Sequence, residues 1–307
     1  MPSSKASAPD PRQREDERVG LIRRHPALVP LLLLLPGITW LGSFYLAPNL
    51  QMFASSFWSG SLESGFAFSL GNWVNYPNAL GTYQEQYLRS IQYGFAATLI
   101  CFAIAFPLAY FIAFRSGRAR SILLFLVVAP FFTSYLLRTI GWRTILGDES
   151  IVLGPLKSIG LIDPSARILD TPVSVVAGIA YNFVPFMILP IYVSLEKIDR
   201  RLLEAAQDLY ASSWGAFRRV TLPLAAPGIF AGSLLTFIPA IGDFVNAELL
   251  GNPGTTMIGN VIQRQFLVVR DYPTAAALSF MLMLLILIGV TIYGRLLGTE
   301  ELTSKAI

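Results

Sequence analysis

Six stretches of this sequence are each long and apolar enough to bridge the hydrocarbon core of a bilayer, a pattern that few folds tolerate. A core about 30 Å thick needs roughly 20 predominantly apolar residues in a helix. Runs near that length fall at about 27–47, 90–114, 121–140, 172–195, 224–250 and 274–297. With no water in the core to satisfy backbone amides, such runs are expected to be helical. The predicted fold class is an all-α integral membrane protein with six transmembrane helices. With 54% hydrophobic and 14% charged residues, the chain is too apolar for an ordinary soluble domain. Residues 1–26, mixing charge with Pro and Ser, read as a disordered cytoplasmic arm before an uncleaved first span; 27–297 form the six-span domain and 298–307 a short cytoplasmic tail.

An even number of crossings puts both termini on one side, and the basic residues say which. Sixteen of the 23 Lys and Arg fall in the arm, the 115–120 turn, the 195–222 segment and the end of the chain, where Arg295 closes the last span and Lys305 lies in the tail. The remaining seven are Arg89, Arg138, Arg143, Lys157, Arg167, Arg264 and Arg270. The positive-inside bias therefore predicts cytoplasmic termini. A net charge of +4 distributed by loop, with no basic face, argues against a nucleic-acid partner and for the lipid bilayer.

Catalytic chemistry has few parts to work with. Cys101 is the only cysteine and His25 the only histidine, which removes disulfide frameworks, Cys/His metal sites and any mechanism needing an intramembrane His base. None of the four lysines follows a glycine, so the chain has no P-loop and is not its own ATPase of that type. Prolines at 36, 107, 130, 185, 190, 227 and 239 fall within or beside spans, where they permit kinks. Gly228 and Gly232 form a GxxxG that suits close helix contact. Residues 49–86 mix seven aromatic side chains, from Phe53 to Tyr76, with Gly, Ser and Asn, and read as an interfacial belt or a docking surface.

Residues 194–229, SLEKIDRRLLEAAQDLYASSWGAFRRVTLPLAAPGI, interrupt the apolar pattern on the cytoplasmic side. Leu195, Ile198, Leu202, Ala205 or Ala206, and Leu209 recur at helical spacing, which predicts one helix continuing out of the fourth span. A second short helix follows, capped by Ser212 or Ser213, with Trp214 and Phe217 on one face and Pro223 at its end. Glu204, Ala205 and Ala206, then Asp208, Tyr210, Ala211, Ser212, Phe217, Val220 and Leu222-Pro223 resemble the EAA loop of ABC importer permeases. In those proteins the loop forms the coupling helix that docks on the ATPase. The stretches SLGNWVNY, PAIGDFVNAELLG and MIGNVIQRQF extend the resemblance to the PotB-type permease family of spermidine/putrescine importers.

The resemblance implies a type I ABC importer permease fold in a bacterial inner membrane, binding no cofactor itself. It also implies a heterodimer with a second, PotC-like permease, a PotA-like ATPase dimer using ATP and Mg, and a PotD-like external binding protein. One departure stands out: the family usually has glycine where this chain has Tyr210, and tyrosine adopts a left-handed turn only at a cost. The same lineage serves other small organic solutes and ferric iron. An ion-coupled secondary carrier is the main rival, although it would normally show internal repeats and ionisable groups near the midplane.

The spans offer one such group. Asp243 lies in the fifth run, with Asn246 three residues later on the same helical face and Glu248 turned elsewhere, near the outer mouth. Tyr181 and Asn182 in the fourth run can add polar or cation–π contacts to an ammonium group. These five residues are the candidate substrate path. The other reading of Asp243 is structural: pairing with an arginine such as Arg138, or capping a broken helix.

Overall fold

The computed structural model describes residues 28–148, 150, 152–160, 163 and 165–297. The expected arm over 1–26 and tail over 298–307 lie outside these residues. The chain divides into two units, the first ending at Ser55. In the first, α1 (Leu28–Leu41) passes through a π-helical turn at Gly42–Leu46 into α2 (Ala47–Ser55). Both residues flanking the turn keep helical dihedrals, so the helix outruns the predicted 27–47 run.

The second unit opens with an antiparallel hairpin of β1 (Trp58–Ser61) and β2 (Gly65–Phe68), in register Trp58 to Phe68, inside the aromatic segment read only as an interfacial belt or docking surface. Then follow α3 (Asn75–Phe114), α4 (Arg120–Val128), α5 (Tyr135–Leu146), α6 (Leu153–Ser158), α7 (Pro172–Glu196), α8 (Arg200–Asp208), α9 (Ser213–Ala216), α10 (Leu222–Ile241), α11 (Val245–Leu250), α12 (Ile258–Arg264) and α13 (Tyr272–Leu297). Among the described residues four stretches are long and apolar enough to cross a membrane: Leu70–Phe114, Pro172–Glu196, Ser213–Ile241 and Tyr272–Arg295. The pair Gly117–Phe132 and Tyr135–Leu146 makes a fifth if it crosses as one.

Three expectations need correcting. The run 121–140 is no straight helix: it bends by 94° after Phe132, because Thr133 and Ser134 are extended and Pro130 opens a 3-10 turn just before them. The fifth helix stops at Ile241 instead of reaching 250, because the chain leaves helical geometry at Gly242 and Asp243 before α11 begins. Within α3 the one non-helical residue is Tyr83, not Pro107.

The core is the mutual packing of α3, α7 and α10. On α3, Ala97, Cys101, Ala105 and Ala109 recur every four residues and are fully buried. Lipid tails are as apolar as leucine, so helices associate there through close contact, which small residues permit. Against this stripe α7 presents Val175, Ile179, Met187, Ile191 and Leu195. On α10 the two glycines of the GxxxG face α7: a Cβ on Gly228 would lie 2.4 Å from the Pro190 carbonyl oxygen, and one on Gly232 2.9 Å from the Met187 sulfur. Large apolar side chains such as Phe111, Leu284, Leu287 and Ile288 point outward, as a lipid-facing surface requires.

Candidate coupling loop and translocation site

The loop after α7 is built from local caps. The predicted continuous helix over Leu195 to Leu209 breaks at 197–199, where the Asp199 carboxylate accepts from the Arg201 N–H at 3.0 Å and starts α8 afresh. Of the stripe, Leu195 and Ile198 are buried, Ala206 is half-buried, and Leu202 and Leu209 are exposed. Glu204, Ala205 and Asp208 are exposed as well.

After α8 the Tyr210 N–H reaches the Gln207 carbonyl at 2.9 Å and the Ala211 N–H reaches the Ala206 carbonyl at 3.0 Å. These two bonds form a Schellman motif, which needs a left-handed residue at the position after the cap. Tyr210 fills it with φ of 60°. The family turn is thus made with tyrosine, whose side chain is 99% exposed.

Ser212, not Ser213, caps α9, accepting from the Gly215 N–H at 3.1 Å. Trp214 stacks on Phe217 at 5.3 Å, and Phe217 packs edge-on against Phe106 of α3 at 5.6 Å. Pro223 does not end this helix. It stands in the first turn of α10, where its missing N–H costs nothing, and the path runs helically from Ser213 to Ile241 through a π turn at Phe217–Thr221. The loop root is held by Arg120, which pairs with Glu196 and donates to the Tyr192 hydroxyl.

At the other end of α10 the buried polar residues converge. Asp243, 6% exposed, accepts the Asn246 N–H at 2.8 Å, so its carboxylate caps α11. It also accepts from the Asn246 amide at 2.9 Å and from the Tyr135 hydroxyl. The Asn246 amide donates to that hydroxyl too, at 2.6 Å, while its oxygen receives the Asn182 amide at 3.3 Å and the Thr139 hydroxyl at 3.4 Å. One knot thereby ties α5, α7 and α11. All these bonds come from the chain itself, so the Asp243 carboxyl group is engaged without a ligand.

The other candidates separate. Tyr181 packs on Trp142 at 5.2 Å, and Glu248 is exposed, receiving the Asn260 amide at 3.2 Å. Asp243 and Arg138 form no ion pair among the described residues. The Arg138 guanidinium lies over the Phe131 and Tyr135 rings at 5.2 and 5.8 Å, with Nε and Nη1 buried and without an acceptor. It lines a cavity of about 430 Å³ beside the bend between α4 and α5. Sequence reasoning missed Tyr135 and Thr139; their signal was the i, i+4 spacing that puts them on one helical face.

Long apolar helices packed around a buried polar knot, with a separate amphipathic loop, define a helical membrane protein. The chain belongs to the binding-protein-dependent transport system inner membrane component family, matched over residues 105–297. It is 40% identical over 259 residues to the spermidine/putrescine transport system permease protein PotB of Haemophilus influenzae, covering 84% of this chain and 90% of that one. To PotB of Escherichia coli K12 it is 38% identical over 260 residues, covering 84% and 94%. Among solved structures, a bacterial ABC transporter that imports the acidic polysaccharide alginate shares the fold with a TM-score of 0.67 at 20% identity, covering 93% and 99%. The chain is therefore a non-catalytic permease subunit of an ABC importer, multi-pass in the inner membrane, and works with an ATPase and a binding protein.

Proposed function

We propose that this permease conducts polyamines such as spermidine and putrescine, as the names of its PotB relatives indicate. The observation that carries the reading is 38–40% identity over 84% of the chain to permeases of spermidine/putrescine systems. Six spans with cytoplasmic termini complete the proposal: α1 with its continuation supplies one crossing, and the bent α4–α5 pair another. The partners are a second, PotC-like permease, a PotA-like ATPase dimer and a PotD-like binding protein.

Residues 195–223 are the coupling loop in this reading. Leu209, Tyr210 and Trp214, exposed by 81%, 99% and 68%, offer apolar surface that suits a docked protein, with Glu204, Ala205 and Ala206 on the preceding helix. The knot of Asp243, Asn246 and Asn182 belongs to the path as the clasp that holds its walls, because its polar atoms face one another. The Arg138 cavity is a poor seat for an ammonium group, since its lining holds that guanidinium and no carboxylate to offset it.

Placing a charge in a docked apolar face is costly. Ala206→Asp and Glu204→Lys are expected to release the ATPase or uncouple its hydrolysis from spermidine uptake at least tenfold, with membrane insertion intact. Normal uptake by both variants removes the coupling assignment. Absence of spermidine and putrescine uptake by the wild-type complex removes the substrate.

A further inference from the structure

A cavity of about 850 Å³ opens beside α3, α11 and α12, on the face away from the coupling loop in the topology proposed above. Its polar wall includes Tyr83, Gln86, Glu248, Asn260, Arg264 and Gln265. Some of its acceptors go unserved within the chain. The side-chain oxygens of Gln86 and Gln265 are buried without a donor, although most buried polar atoms in proteins are paired. The Gln265 amide nitrogen is committed to the Tyr83 hydroxyl at 2.6 Å. The Glu248 carboxylate, with about four lone-pair sites, receives the Asn260 amide alone among the described residues. That amide is itself fixed by the Phe244 carbonyl at 2.8 Å.

We propose that Glu248, Gln86 and Gln265 form a vestibule that receives an ammonium group of the substrate before it passes the knot. The inference rests on the polyamine reading. An ammonium brings three donors, a positive charge and no acceptor, which suits the exposed Glu248 carboxylate directly and the two buried amide oxygens once their side chains turn toward the cavity. Val261, Leu267 and Val268 supply apolar wall for methylenes between charged groups. Arg264 lines the same cavity, exposed, and forms no ion pair with Glu248 among the described residues. Its charge keeps the site weak, as a station on a path must be if the substrate is to leave it.

The test uses the whole importer in vesicles, with saturating spermidine-loaded binding protein, and measures spermidine moved per ATP hydrolysed. Glu248→Gln and Gln86→Leu are each expected to lower that ratio about tenfold, with the ATPase still bound and still stimulated by the loaded binding protein. Glu248→Asp is expected to recover part of it, and Arg264→Gln to keep or raise it. An unchanged ratio in both Glu248→Gln and Gln86→Leu overturns the vestibule and leaves the polyamine reading standing. A wild-type importer that moves no spermidine overturns that reading, and the vestibule with it.

Discussion

Tyr210 holds a left-handed backbone with its side chain in the open, at a position where glycine pays no steric penalty. The left-handed region costs an ordinary L-residue about 1–2 kcal/mol. Nothing within the chain offsets this at Tyr210 through burial. Tyr210→Gly is therefore expected to keep the two Schellman hydrogen bonds and leave uptake within about twofold of wild type. Thermal unfolding of the purified complex should be unchanged or slightly later. A loss of uptake would show that the ring is a docking contact. The need for a left-handed residue between two short helices was legible in the sequence, because the turn follows from the family pattern. That the polypeptide meets it with tyrosine could be seen only in the dihedrals. The Asp243 knot was half legible: a carboxylate and an amide three residues apart mark a site, but Tyr135 and Thr139 come from a distant helix, and no local spacing connects them to Asp243.

At the scale of elements, the contact between α7 and α10 depends on two missing side chains. The atoms nearest to a Cβ on Gly228 are the Pro190 carbonyl oxygen and the Ser194 side chain at 2.4 and 2.5 Å, and the backbone atom cannot swing aside. Gly228→Leu is expected to abolish recovery of an assembled complex, and Gly228→Ala to lower its melting temperature by several degrees, since overpacking costs about 1–3 kcal/mol. Gly289→Ala, with open space around it, serves as the control and should melt like wild type. Equal melting of Gly228→Ala and Gly289→Ala would show that the helices separate without loss. Here a sequence motif translated directly into packing. The bend between α4 and α5 did not, because an apolar window measures length and hydrophobicity but is blind to two consecutive extended residues. The break at 197–199 was missed for a similar reason: periodicity runs through a residue such as Asp199 whose cap restarts the helix.

For the whole molecule, the proposed six-span arrangement predicts sides. Cys101 is buried, with its thiol donating to the Ala180 carbonyl at 3.3 Å, and its replacement gives a clean background for single-cysteine labelling. Glu63→Cys, in the turn between β1 and β2, should react with an impermeant maleimide on intact cells, and Gln207→Cys, in α8, should react only after permeabilisation. Labelling of Gln207→Cys from outside would invert the topology. If the sides are as proposed, one feature acquires a mechanical meaning. The helical path from Ser213 to Ile241 has 29 residues and no non-helical break, which at about 1.5 Å per residue makes a rod about 43 Å long. One end carries the stacked Trp214 and Phe217, the other abuts the Asp243 cap. Tilting a rod of that length by about 10° about one end carries the other through about 7 Å, a little more than one helical turn. The membrane-buried clasp is thus within reach of a modest push on the loop, much as an oar blade answers to its handle.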